Sequence, residues 1–408
     1  MADQIIDKRT VAIPGPIGSV TPEVQQLHDE TKQYRDAAEQ FAGSTQVLQD
    51  QAVSLLLSDA TPTPGQTFLT LSQRGCNIRD FGALGDGSSD DTTPFAMALD
   101  MIGSNGGGIL YVPQGTYVTD QISLPSRTSI VGVGMPILKP TPTITSPAFV
   151  MAKNENQSEF GLRSVILDGS GVSKNLIGVQ IEHRIGVGAD SMDHFDVFED
   201  LFIKNFTGHG FQYLSGTEVS VRSVKSYSNG GNGFDIHATD GKYLQCIAAG
   251  NKGHGFNVTS NQTLYVECKA FYNTRGFMVG VNGGTVNRQN VFSACEAQNN
   301  RNAGMYLTNT QMAVVSGCII DSNNTATDND AGELTLNSYN RAIQIDGTIW
   351  VDTTTSKSAT LVKLNDMGNS VHIQVNVLGM FSDSNNTYYK GDPTNGGWNK
   401  ITVNNSSY

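Results

Sequence analysis

Four cysteines constrain this chain more than any other feature. Cys246, Cys268, Cys295 and Cys318, led by Val224, recur at intervals of 22, 22, 27 and 23 residues. Five residues after each position stands an asparagine: Asn229, Asn251, Asn273, Asn300 and Asn323. A third marker keeps the same register, in Gly210-Phe211, Gly233-Phe234, Gly255-Phe256, Gly276-Phe277 and Gly304-Met305. A unit this short cannot bury a core alone, so successive units must stack and share one. The pattern predicts an all-β fold, a right-handed parallel β-helix.

Stacked strands lie about 4.8 Å apart, so equivalent residues on successive coils form a line. Small thiols fit an inward ladder, and inward asparagines can satisfy amides of the coils above and below. The cysteines therefore read as structural. A line of thiols does not converge on an ion, and neither a metal nor a cofactor is expected. The longer interval between Cys268 and Cys295 falls near Val281 to Thr285, an expected outward loop of the kind that borders binding faces on solenoids.

Composition narrows the partners. Among 408 residues, 26 Lys and Arg face 38 Asp and Glu, a net charge of −12. An acidic chain lacks the cations that neutralise phosphates, so no nucleic acid and no anionic membrane surface is expected. Charges near the start stand where a secretory signal needs apolar residues, and no apolar run reaches membrane-spanning length. An odd count of five cysteines argues against a disulfide framework and for synthesis in a reducing cytoplasm.

The chain divides into segments. Residues 1–22, punctuated by Pro and Gly, read as an extended attachment arm. Residues 23–60 carry Val24, Leu27, Thr31, Tyr34, Ala38 and Phe41 in alternating steps of three and four, a heptad seam that continues to Leu55. So narrow a seam predicts a coiled coil with copies of the same chain. A linker and lead-in module follow over 61–135, the β-helix over 136–325, and over 326–408 either further coils or a separate C-terminal β element.

Within the lead-in module, Asn77-Ile78-Arg79-Asp80-Phe81-Gly82-Ala83 precedes Gly85-Asp86-Gly87 and Asp90-Asp91-Thr92. The acidic pair caps an expected helix from Pro94 to Ile102 and closes its loop. Gly106-Gly107-Gly108 then leads into the strand-like Ile109-Leu110-Tyr111-Val112. These residues resemble the pectate-lyase-like module of bacteriophage tailspikes and related β-helix proteins. The resemblance implies a homotrimeric virion tailspike joined through its N-terminus to other tail proteins. It would bind and depolymerise a bacterial surface polysaccharide, by hydrolase or lyase chemistry; the competing reading is a non-enzymatic glycan-binding fibre.

Solenoid register indicates which residues face outward together. If the large apolar residue of each coil points inward, the next position points out: Gln212, Asp235, Asn257, Met278, Tyr306. Two positions on stand His237 and Thr259, and before each glycine stand His209, Asn232, His254 and Arg275. These columns form one polar strip, with Asp235 and His237 as catalytic candidates and His209, Gln212, Asn232, His254, Asn257, Arg275 and Tyr306 as substrate-binding candidates. Such groups suit a glycan: acids and bases move protons, Arg neutralises a uronate, and a ring covers a sugar face. Glu267 and Asp200, just before the cysteine ladder, are the candidates for a second catalytic carboxylate. Calcium-assisted lyase action would be sought in the local cluster Asp193, Asp196, Glu199 and Asp200. The Gly-His-Gly triplets at 208–210 and 253–255 resemble the histidine motif of polygalacturonase-type hydrolases. Lacking that family's paired aspartates, they read as corners where Gly supplies positive φ.

Overall fold

The computed structural model describes residues 75–154, 159–183, 196–281, 283–325, 332–352, 360–364, 371–380, 387–390 and 400–407. All lie in the second of two compact units, Phe68–Tyr408. The expected arm and coiled coil, over 1–22 and 23–60, fall outside the described residues.

Strands pair in parallel from coil to coil, as Phe234–Ile236 does with Phe256–Val258 and Leu264–Val266 with Val291–Ser293. Each coil gives one strand to an 11-stranded sheet and two to a 22-stranded sheet. This is the right-handed parallel β-helix that the repeat predicts. The inward residues stack as the register requires. Phe234 lies 4.6 Å from Phe256, and Phe256 4.8 Å from Phe277, ring centre to ring centre. Tyr243, Tyr265 and Phe292 form a second stack at 5.2 and 4.7 Å. The four ladder cysteines are free and buried.

The asparagine ladder works as a continuous hydrogen-bonded column. The backbone N–H and side-chain amide of Asn251 both donate to Asn273 Oδ1, at 3.0 and 2.9 Å. Asn273 does the same to Asn300, at 2.9 and 3.2 Å. The column ends where Asn323 N–H donates to the buried carboxylate of Glu333 at 2.8 Å. Each asparagine thus satisfies buried amides at a corner that no sheet bond reaches.

The glycines of the Gly-His-Gly triplets do not have positive φ, contrary to the sequence expectation. Close packing requires them instead. A Cβ on Gly210 would stand 2.1 Å from Ser226 Oγ and 2.7 Å from Asn229 Nδ2; one on Gly255 would stand 2.8 Å from Ala270 Cβ. Left-handed backbone appears elsewhere, at Asp200, Ser223, Gln245, Glu267 and Ala294, one per coil at the bend before the ladder.

Helix α1 (Thr92–Ser104) extends a little beyond the expected bounds and buries Phe95, Ala98, Leu99 and Ile102. Asp91 makes no side-chain cap; its carboxylate closes the preceding loop by accepting from Leu84 and Gly85 N–H, while Asp90 accepts from Thr92 N–H. Toward the C-terminus, Ile343–Asp352, Val371–Met380 and Lys400–Ser407 add in parallel beyond Val314–Asp321. The described part of 326–408 therefore continues the same sheets as further coils.

Candidate functional site

The outward face of the 11-stranded sheet carries Asp235 at its centre, between Gln212 on the preceding coil and Asn257 on the next. Although outward, Asp235 is only 4% exposed, because its neighbours wall it in. Four side chains converge on its two oxygens. Asn232 Nδ2 and Asn257 Nδ2 donate to Oδ1 at 2.9 and 2.7 Å. Gln212 Nε2 donates to Oδ2 at 2.8 Å, and His237 Nε2 meets the same oxygen at 3.0 Å. Burial alone would raise this carboxyl. Hydrogen bonds from His237, Gln212 and Asn257 outweigh that and hold it well below the usual carboxylate range.

An ionised acceptor at Nε2 places the ring proton of His237 there and leaves Nδ1 as the exchangeable nitrogen. Nδ1 rests 2.7 Å from Thr259 Oγ1. With its side chain 37% exposed, His237 opens to solvent while Asp235 beneath it does not. This is the arrangement of an oriented base: a buried carboxylate fixes the tautomer and an accessible nitrogen does the exchange.

Asn232 ties the corner column together. Its backbone N–H donates to His209 Nδ1 at 2.9 Å, and its Oδ1 accepts from His254 N–H at 2.8 Å. Burial, together with the Arg275 charge and against the attraction of Asp235, lowers His254 to about 4, so its ring is neutral near pH 7. The Arg275 guanidinium lies 4.6 Å from the centre of the Tyr306 ring. Buried His254 Nδ1 and Arg275 Nε have no hydrogen-bond partner. A stacked, underused cation of this kind suits a carboxylate or sugar hydroxyl.

The structure thus brings His209, Gln212, Asn232, Asp235, His237, His254, Asn257, Arg275 and Tyr306 onto one face, as expected from the register. It does not bring Glu267 or Asp200 there. Both are exposed, at left-handed bends between strands of the 22-stranded sheet, and Glu267 accepts from Gln245 at 2.9 Å. Spacing fixes the coil a residue belongs to but not its side of the coil, which is why the sequence placed them as partners. The acidic cluster is dispersed too. Asp196 is buried against His183 and Tyr213, Glu199 pairs with Arg222, and Asp193 lies outside the described residues. Among the described residues no group of three His, Cys, Asp or Glu converges as metal ligands.

The strip also reaches further than the sequence suggested. Gln180 Nε2 donates to Gln212 Oε1 at 2.7 Å, and Glu182 pairs with Lys153 at 3.0 Å on the neighbouring outward column. The signal was present as Gly178-Val179, a variant of the Gly-Phe marker, since Val179 pairs with Phe211.

A family model described as rhamnogalacturonase A/epimerase, pectate lyase-like, matches residues 75–306, more than half of the chain. The chain belongs to this family. In sequence, this family member is 30% identical over 175 residues to mannuronan C5-epimerase AlgE3 of Azotobacter vinelandii, covering 39% of this chain and 9% of that protein. It therefore spans only a small part of that relative. In structure, it is similar to the A-module of mannuronan C5-epimerase AlgE6 of the same organism, with a TM-score of 0.64 at 19% identity, covering 81% of this chain and 99% of the other. Tailspike protein 2 of the Escherichia coli O157:H7 bacteriophage CAB120 gives 0.56 at 17% identity, covering 74% and 42%. At these identities the pectate lyase-like chain shares their fold.

Proposed function

We propose that this chain is the polysaccharide-acting spike of a virion tail, a homotrimer attached through its N-terminal arm to other tail proteins. It binds a bacterial surface polysaccharide along the strip and cleaves it at the Asp235–His237 centre. The observation that carries this reading is a buried, ionised Asp235 orienting an exposed His237 on a face lined with sugar-binding group types. A two-acid hydrolase needs two carboxyl groups within about 5–9.5 Å across the bond. Asp235 is held ionised by donors, and Glu267 and Asp200 stand elsewhere, so the geometry favours proton abstraction from a uronate, a lyase reaction.

In that reaction Arg275 neutralises the sugar carboxylate, which acidifies the adjacent C5–H. His237 Nδ1 takes that proton, the C4–O bond breaks, a C4–C5 double bond forms, and the imidazolium returns the proton to the leaving oxygen. A second reading, favoured by the similarity to mannuronan C5-epimerases, shares the first step: the proton returns to the opposite face of C5 and no C–O bond breaks.

One incubation separates these. Purified protein is mixed with capsular and exopolysaccharides, uronate-containing and neutral, in deuterated buffer. A lyase gives ultraviolet absorbance from the unsaturated uronate, an epimerase gives deuterium at C5 without chain shortening, and a hydrolase gives reducing ends without absorbance. Binding with none of these changes supports the non-enzymatic fibre and overturns the catalytic reading.

A further inference from the structure

Two imidazoles flank Asp235, and the structure holds them in different ways. His237 is bonded to the carboxylate through Nε2. His209, one coil earlier, accepts the Asn232 backbone N–H at Nδ1, 2.9 Å away. A backbone N–H can only donate, so Nδ1 must keep its lone pair and the ring proton must sit on Nε2. His209 Nε2 is 3.8 Å from Asp235 Oδ2, beyond hydrogen-bond range, and the side chain is 30% exposed. Among the described residues that N–H makes no hydrogen bond.

The local sequence is built for this placement. Asn229-Gly230-Gly231-Asn232 lays the following coil directly against His209. A Cβ on Gly231 would come 2.7 Å from His209 Nδ1, and one on Gly230 would come 2.1 Å from Thr207 O. Neither glycine has positive φ, so the pair answers to close approach and not to a turn. Seating the Asn232 N–H on the imidazole needs both.

We propose that His209 is a positioned hydrogen-bond donor to the substrate through Nε2–H, not a proton-transfer group. Its Nε2–H binds an acceptor oxygen on the sugar that lies one coil before Asp235, and stabilises negative charge developing on that oxygen. Protonating Nδ1 would break the Asn232 bond and set two N–H groups against each other. The nearest titratable group facing the ring is Asp235, whose negative charge sits beside Nε2; His254 stands two coils along the same corner column and is neutral. His209 and His237 therefore divide the work, one holding charge and the other moving a proton. This rests on the proposed polysaccharide-acting function of the strip.

Three variants of the full chain test it, assayed on a polysaccharide the wild type turns over. His209→Ala removes the donor and lowers kcat by about 10²–10³-fold, the effect of losing one such donor. His209→Gln restores an amide N–H near the same place and recovers all but about tenfold. Gly231→Ala pushes against Nδ1 and reproduces the His209→Ala loss with His209 still present. A His209→Gln enzyme as inactive as His209→Ala, with the acidic limb of its pH profile gone, would show proton transfer at His209 and overturn the proposal. Unchanged activity in His209→Ala would overturn it as well. Neutron diffraction at pH 8 supplies a readout independent of activity: deuterium on Nε2 alone is expected, and deuterium on Nδ1 refutes the assigned tautomer. If wild-type protein modifies no polysaccharide, the reading of the strip fails, while the neutron maps still decide the state of His209.

Discussion

Replacing Asp235 by Asn changes one atom in a pocket built for a carboxylate. Judged by register alone, Asp235 is an outward acid whose amide form leaves stability untouched. In the structure it is 4% exposed and receives two donors on each oxygen. An asparagine offers one oxygen and one NH2, so an NH2 toward Asn232 and Asn257 faces two donors, and an NH2 toward Gln212 and His237 faces one or two, according to the His237 tautomer. Each buried donor left without an acceptor costs about 1–3 kcal/mol, which gives about 1–6 kcal/mol. Asn232, Asn257 and His237 have partial access to water, which places the expected value near the low end, about 2–3 kcal/mol.

The same change leaves His237 free to exchange tautomers, and activity should fall about 10²–10⁴-fold. The sign of the pH effect is fixed by the lowered Asp235 carboxyl. Its contribution is complete above the unfolded-state value of about 3.9 and disappears as pH falls toward the folded value. The stability gap between wild type and Asp235→Asn should therefore be widest near neutrality and narrow below about pH 4. Denaturant unfolding over pH 3–7, with turnover measured per folded molecule, gives both numbers. An Asp235→Asn protein that unfolds with the wild type and keeps more than a tenth of its activity would refute the four-donor account.

Asn273→Ala strips the Oδ1 that serves both the backbone and the side chain of Asn251, and should cost about 3–5 kcal/mol or raise the unfolding rate correspondingly; a change below about 1 kcal/mol would mean that water replaces the ladder. Burial pushes the Cys268 thiol well above its ordinary value, so Cys246, Cys268, Cys295 and Cys318 should resist thiol reagents until the protein unfolds, with melting indifferent to reductant. Because His254 is lowered to about 4 in the folded chain, unfolding takes up a proton, and stability should drop as pH falls from about 6.5 toward 4, by about 2–3 kcal/mol; His254→Gln should flatten that part of the profile.

Much of the fold was legible because three residue types repeat in one phase. Cysteine, asparagine and the Gly-Phe pair fix what points inward, and parity then gives the outward column that holds Gln212, Asp235 and Asn257. What spacing does not encode is where around the coil each bend occurs. The bends at Asp200, Ser223, Gln245, Glu267 and Ala294 adopt left-handed backbone without glycine, so nothing in their composition marked them. Conversely, Gly210 and Gly255 read as turn residues, yet they are small because the asparagine ladder and its neighbours press against them. The Asp196–His183–Tyr213 cluster was hidden for a different reason: its members stand 13 and 17 residues apart in sequence, outside the repeat register, and meet only in the folded chain.

The two faces of the coil that carries Asp235 obey different constraints. Inside, Phe234 stacks between Phe211 and Phe256, and Ile236 between Tyr213 and Val258, so substitution there disturbs three coils at once. Outside, the same strand presents Asp235 between Gln212 and Asn257, and the next two coils present Met278 and Tyr306. No ladder requires these outward types to match, so each coil can change its chemistry without altering the stack beneath it. The exception is the Asp235 pocket, where side chains from three successive coils bond to one carboxylate. At that point the outward face becomes as interlocked as the core, and the preorganisation needed to orient His237 is supplied by neighbours on either side, not by the coil itself.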